Sequence, residues 1–135
     1  MASATDIVRR LTTEVFLGGN LAPIEELVSE DFVSHDPPPG IPGTKDGFRQ
    51  LAAAVAQAFS DRTMEFDDFV ETVDGRVVEN WAMLAVHSGE AFGLPPSGQP
   101  GRVRGTEIFR CADGQLVEHW GSVDMSDVVM KAMGA

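Results

Sequence analysis

The sequence predicts an α+β domain in which helices gather on one face of a curved antiparallel sheet. Three observations point there. Apolar residues recur at helical spacing over the first part of the chain, strand patterns take over from Arg62 onward, and Asp74-Gly75 and Asp113-Gly114 mark tight turns between strands.

Each element has a local reason. Ile7, Val8, Leu11 and Val15 fall on one helical face, Ser3 or Thr5 supplies a cap, and Gly18-Gly19-Asn20 ends the segment, so a helix is expected over roughly residues 4 to 18. Pro23 opens a short second helix carrying Ile24, Leu27 and Val28, and the run from Asp31 to Asp36 reads as a brief strand. The stretch Pro37-Pro-Pro-Gly-Ile-Pro-Gly43 lacks too many backbone donors for regular structure and crosses the surface as a stiff loop. Thr44 caps a third helix with an apolar face of Phe48, Leu51, Val55 and Phe59, and its alanines allow close packing on a sheet.

Residues 63 to 73 alternate apolar and acidic, and a long strand runs from Arg76 to Gly89. Its nearly continuous apolar run implies cover on both faces. Residues 91 to 98 form a loop, a hairpin follows over residues 107 to 124, and Asp124 caps a final short helix with Val128, Val129 and Met133. The length of 135 residues suits one domain, without repeats or low-complexity segments.

The net charge of −11, with only ten Lys and Arg residues, argues against nucleic acid and anionic membranes as partners and favours a small, uncharged or weakly polar ligand. The single cysteine, Cys111, excludes an internal disulfide and reads as a small core residue. Charges stand near the start where a secretory signal needs an apolar stretch, and no apolar run is long enough to span a bilayer, so a cytoplasmic location is expected.

The hairpin carries the expected chemistry. A three-residue loop, Ala112-Asp113-Gly114, sets Cys111 opposite Gln115 and Glu107 opposite His119. One face then holds Gly105, Glu107, Phe109, Cys111, Val117, His119, Gly121 and Val123, and the other holds Thr106, Ile108, Arg110, Leu116, Glu118 and Trp120. A carboxylate and an imidazole on an apolar face suit proton transfer, with Glu107 as acid or base and His119 as its partner or as donor to a developing oxyanion. The structural alternative is a cross-strand pair that closes the sheet. Gly105 and Gly121 leave a bare patch where a flat ligand could lie.

Further candidates are more open. His35 binds a polar substituent of the substrate or packs at the rim, and Asp36 does the same or caps the proline loop. His87 faces the cavity or holds a strand end. Trp81, Met83, Phe92 and Phe109 line a pocket or fill the core. A metal is not expected, because His35, His87 and His119 show no H-x-H or H-E-x-x-H spacing. Trp120 and Leu116 are candidates for a dimer interface.

Three groups of residues together resemble one family: His35-Asp36-Pro37 with Gly40; His87-Ser-Gly-Glu90 with Gly93-Leu-Pro-Pro-Ser-Gly98; and Ile108-Phe-Arg with Asp113-Gly114, Val117-Glu-His-Trp120 and Asp124. The resemblance is to the SnoaL-like group of the NTF2-like superfamily, the cone-shaped fold of polyketide cyclases, ketosteroid isomerase and limonene epoxide hydrolase. It implies three N-terminal helices on the concave face of the sheet, a short C-terminal helix, a pocket at the open end of the cone, no cofactor, and a homodimer through the outer sheet face. In the aldol cyclases of the group, the resemblance places the catalytic aspartate at the position held here by Gly121, whereas an acid at position 107 is common in members labelled ester cyclase.

The expected function is that of a cofactor-independent acid–base enzyme acting on a small hydrophobic carbonyl compound, of the polyketide cyclase or isomerase kind. Epoxide hydrolysis is the second enzymatic reading and needs Asp36 or another acid converging on Glu107. A non-catalytic ligand-binding or dimerisation module is the third.

Overall fold

The computed structural model describes residues 2–134. The first helix, α1 (Ala4–Arg10), starts at Ser3, whose side chain accepts from the Asp6 amide at 3.1 Å; Asp6 in the first turn and Arg9 and Arg10 in the last complement the helix dipole. The chain then widens without a break into a π-helical segment, Leu11–Leu17. Arg62 closes its end by donating to the carbonyls of Phe16 and Leu17, both at 3.0 Å, which ties the helix to the sheet. Such widened turns often sit at functional sites. This one begins beside Thr12, which is buried against the sheet.

After α2 (Ala22–Leu27), with Pro23 in its first turn, comes β1 (Val28–Ser34), which starts earlier and ends earlier than the sequence pattern suggests. The proline loop leads to α3 (Lys45–Ala58), where the Thr44 hydroxyl accepts from the Gly47 amide at 3.2 Å. The helix stops one residue before Phe59, which opens β2 (Phe59–Glu71) and is buried there. The remaining elements are β3 (Arg76–His87), β4 (Pro100–Ala112), β5 (Gln115–Asp124) and α4 (Ser126–Ala132). Asp124 precedes α4 and accepts from the amide and hydroxyl of Ser126.

The five strands lie in the order β1-β5-β4-β3-β2, with antiparallel pairing throughout except that β1 runs parallel to β5. A short strand following a helix returns to the sheet edge in this direction, which brings Ser34 alongside His119. The inner face of β3 and β4 meets the helices. Two apolar clusters result: Ile7, Val8, Leu11, Phe32, Phe48, Val77 and Leu116 at one end, and Phe59, Met83, Val103 and Val128 at the other. They do not merge, and a cavity lies between them.

Two expectations are corrected. The hairpin turn is the two-residue Asp113-Gly114, with φ of 53° and 77°, and not a three-residue loop. Positive φ at both central positions matches the twist of the flanking strands. A bulge at Val117 then shifts the register, so that Cys111 pairs with Leu116, Arg110 with Glu118, Phe109 with His119, and Glu107 with Gly121. The bulge turns Leu116 inward, where it is fully buried and contributes about 2 kcal/mol. Leu116 is therefore a core residue and not part of an outer interface. The second correction concerns β3, whose outer face is not covered by this chain: Leu84 is 42% exposed, and Val70, paired with Val78, is 52% exposed. Among the described residues no helix is long and apolar enough to cross a membrane.

Candidate active site

A cavity of about 490 Å³ opens between the helices and the concave face of the sheet. Its walls are mostly apolar, from Phe48, Leu51, Phe59, Trp81, Met83 and the proline loop. Polar groups gather in one region, where Thr12, Ser34, Asp36, Glu79, Glu107 and His119 border the space. A large apolar pocket with a few convergent polar groups is the usual form of a small-molecule site.

Glu107 and His119 meet there although they are not directly opposed. The bulge places them diagonally on the same face, and His119 Nε2 lies 3.2 Å from Glu107 Oε2. The other ring nitrogen, Nδ1, is 2.9 Å from Ser34 Oγ. A neutral ring with its proton on Nε2 satisfies both contacts, donating to Glu107 and accepting from the Ser34 hydroxyl. Phe109 packs on the imidazole with centroids 5.1 Å apart, which limits the ring's freedom to rotate away. Asp36 holds the next part of β5, its Oδ2 accepting from the Gly121 amide at 2.9 Å. That bond gives its carboxylate a structural task beside the cavity it borders.

The glycines prove to be occupied ground. A Cβ at Gly105 would lie 2.4 Å from the Trp81 ring, so the indole covers this position. At Gly121 a Cβ would come within 2.7 Å of Glu107 Oε1 and 2.9 Å of His119 Nε2. The expected bare patch is thus filled by Trp81 on one side and by the Glu107–His119 pair on the other.

Glu79 escaped the sequence reading. It faces inward from β3 directly beside Glu107, is only 2% exposed, and receives a hydrogen bond at Oε1 from Thr12 Oγ1 at 3.1 Å. Burial, reinforced by the nearby Glu107 charge and opposed by the Thr12 bond, raises its pKa to about 7. The available signal was parity, because Val77, Glu79, Trp81 and Met83 alternate along the inward face of a strand, and a carboxylate among them has no solvent to meet.

Other candidates separate. Trp81, Met83, Phe92 and Phe109 border the cavity; Phe92 sits at its mouth with φ of 49° and is 42% exposed. His35 turns away: its Nε2 lies 2.6 Å from Glu118 Oε2, and its ring stacks on Trp120 with centroids 5.1 Å apart. Glu118, hydrogen-bonded by His35 and then by Arg110, is held below the ordinary carboxylate range. His87 is buried outside the cavity lining, packed on Phe59, with Nδ1 3.5 Å from the Ser97 amide. Cys111 is half-buried, and burial pushes its thiol up to about 11. Among the described residues no three His, Cys, Asp or Glu side chains are grouped to hold a metal ion.

An open-ended cone of this kind, with helices over a curved sheet and an acid–imidazole pair in its cavity, defines a class before it defines a protein. The chain belongs to the SnoaL-like polyketide cyclase family, whose model matches residues 6–131. It is similar to the crystal structure of IdmH from Streptomyces antibioticus, named as a candidate polyketide cyclase, at 30% identity and a TM-score of 0.79, over 99% of this chain and 100% of that one. AclR from Streptomyces galilaeus, named as a candidate hydroxylase, shares the fold at 23% identity and a TM-score of 0.82, over 98% and 82% of the two chains. TsrD from Streptomyces laurentii does so at 18% identity and a TM-score of 0.82, over 100% and 99%. No protein of curated function matches the sequence.

Proposed function

We propose that the protein is a cofactor-independent acid–base enzyme acting on a small hydrophobic carbonyl compound, of the polyketide cyclase or isomerase type. The observation that carries this reading is the 3.2 Å contact between Glu107 and His119 at the polar region of an otherwise apolar cavity. Glu107 takes a proton from the carbon next to a carbonyl. The C–H pair becomes a C=C bond, and the carbonyl π pair moves onto oxygen. His119, fixed by Ser34, keeps the carboxylate aimed at that carbon. An isomerase returns the proton at another carbon. A cyclase lets the enolate carbon attack a second carbonyl, whose oxygen then takes the proton. His35 and His87 have no part in this scheme, since their side chains lie outside the cavity lining.

The test uses 2-tetralone, an apolar bicyclic ketone, in D₂O, with exchange of its α-hydrogens followed by NMR. The wild type is expected to accelerate exchange, and Glu107→Gln to lose about 100-fold or more of that acceleration while folding normally. Full exchange activity in the variant overturns the assignment. Epoxide hydrolysis remains a second reading because a second acid, Glu79, adjoins Glu107, which is what protonating an epoxide beside an activated water requires. A binding module would hold the ketone without exchanging it. The exposed Val70 and Leu84 on the outer face support a homodimer as part of the same proposal, and a monomer in sedimentation equilibrium counts against it.

A further inference from the structure

Two carboxyl groups side by side on one sheet face, both bordering one cavity, invite separate roles. Glu107 has a histidine partner at 3.2 Å and is partly open to solvent, its side chain 17% exposed. Glu79 has no cationic partner among the described residues. Its surroundings are Thr12 from the π-helical segment, Phe69 across the sheet on β2, and Glu107 on β4, with His119 beyond Glu107. A hydroxyl, an aromatic ring and a like charge all leave an ionised Glu79 without compensation. Only one of the two acids is placed to hold negative charge, and it is the one paired with His119.

We propose that Glu79 acts as a neutral hydrogen-bond donor to the substrate's carbonyl oxygen, and so is a second catalytic residue of the cavity, specific for ligands that offer an acceptor beside an acidic C–H. The inference rests on the enolising reading of the same site. Thr12 occupies Oε1 as donor, which leaves the carboxyl proton for Oε2. As Glu107 removes the α-proton, charge grows on the oxygen to which Glu79 donates, and the hydrogen bond strengthens as the transition state forms. No proton need leave Glu79. The carbonyl oxygen must therefore reach the β3 side of the cavity, with the α-carbon over β4, which orients the ligand across the strands. Ligands with an anionic group over β4 are rejected, because the Glu107 carboxylate would face it.

The test is equilibrium binding of 2-tetralone and of tetralin, a hydrocarbon of the same shape without the oxygen, to the wild type, Glu79→Gln and Glu79→Leu. Glu79→Leu is expected to weaken tetralone binding by about tenfold and to leave tetralin unchanged. In the wild type, tetralone affinity falls as pH rises through about 7, while tetralin affinity does not; Glu79→Gln, whose amide still donates, binds tetralone without that fall. The infrared carbonyl stretch of bound tetralone shifts to lower frequency in the wild type and Glu79→Gln and returns toward its free value in Glu79→Leu. The inference is overturned if Glu79→Leu binds tetralone as the wild type does, if the pH-dependent fall persists in Glu79→Gln, or if the wild type does not bind tetralone. Should Glu79→Leu fail to fold, the pH profile of Glu79→Gln decides. These are equilibrium measurements, so the exchange assay with Glu107→Gln can succeed or fail independently of them.

Discussion

The strongest physical handle on the site is the pH dependence of stability that Glu79 imposes. Its pKa is raised from an ordinary 4.5 to about 7, first by burial and second by the Glu107 charge. Below 4.5 the carboxyl is protonated in both the folded and unfolded chain, and its contribution to stability is fully present. Between 4.5 and about 7 the unfolded chain gives up the proton while the fold retains it, so stability falls as pH rises, and above about 7 the loss is complete. At about 1.4 kcal/mol per pH unit, an interval of about 2.5 units amounts to roughly 3 kcal/mol, a large share of the stability of a domain this size. Glu79→Gln removes the titration and keeps the shape. Urea unfolding of both proteins from pH 4 to pH 8 is the assay, and the wild-type minus variant difference cancels the titrating groups that do not interact with Glu79. That difference is expected to move against the wild type by about 3 kcal/mol across the range. In a Glu107→Gln background the midpoint should drop but stay above 4.5, because burial is the larger cause. A flat difference across the range refutes the reasoning, since Glu79 would then be as well solvated folded as unfolded.

The two glycines on the inner face of β4 and β5 give a paired prediction. Gly105→Ala sets a methyl 2.4 Å from a rigid indole and is expected to cost about 1–3 kcal/mol, read as a clear fall in thermal midpoint. Gly121→Ala meets the ends of the Glu107 and His119 side chains, of which the carboxylate can swing away, so its thermal midpoint should fall less than that of Gly105→Ala while tetralone exchange falls by about tenfold or more as the pair is forced apart. Equal stability losses in both, or unchanged exchange in Gly121→Ala, would count against the geometry of the site.

The order of elements was legible because each depends on local chemistry: Ser3 and Thr44 as caps, Pro23 in a first turn, the proline loop, and two turn dipeptides. The face shared by Glu107, Phe109 and His119 was legible too, because moving the register by two residues preserves side-chain parity. The register itself was not. A three-residue loop and a two-residue turn with a bulge both bring Arg110 near Glu118, and only burial of Leu116 distinguishes them, which is a tertiary fact. His35 shows the same limit. Its ring could have entered the cavity, but Glu118 and Trp120 hold it on the opposite face. Glu79 was readable in principle and was hidden by its neighbours: within Val77-Val78-Glu79-Asn80-Trp81 it passed as a polar interruption of a strand expected to be covered on both sides.

The sheet order bears on the proposed use of an acid at position 107 in place of one at position 121. A residue at 121 lies on β5 and has β4 and β1 as neighbours, whereas Glu107 on β4 lies between β3 and β5. Its carboxylate fills the volume above the Gly121 Cα, so a side chain at 121 and the Glu107 carboxylate compete for one space. From the central strand, Glu107 has His119 on one side to support its charge and Glu79 on the other, where the same charge helps keep a second carboxyl protonated. The two carboxyls thus have unlike surroundings, Glu79 buried against a hydroxyl and a like charge and Glu107 in contact with an imidazole. Exchanging His119 would leave Glu107 without its hydrogen-bond partner, and exchanging Glu107 would lower the Glu79 pKa without restoring its ordinary value, because burial is the larger cause.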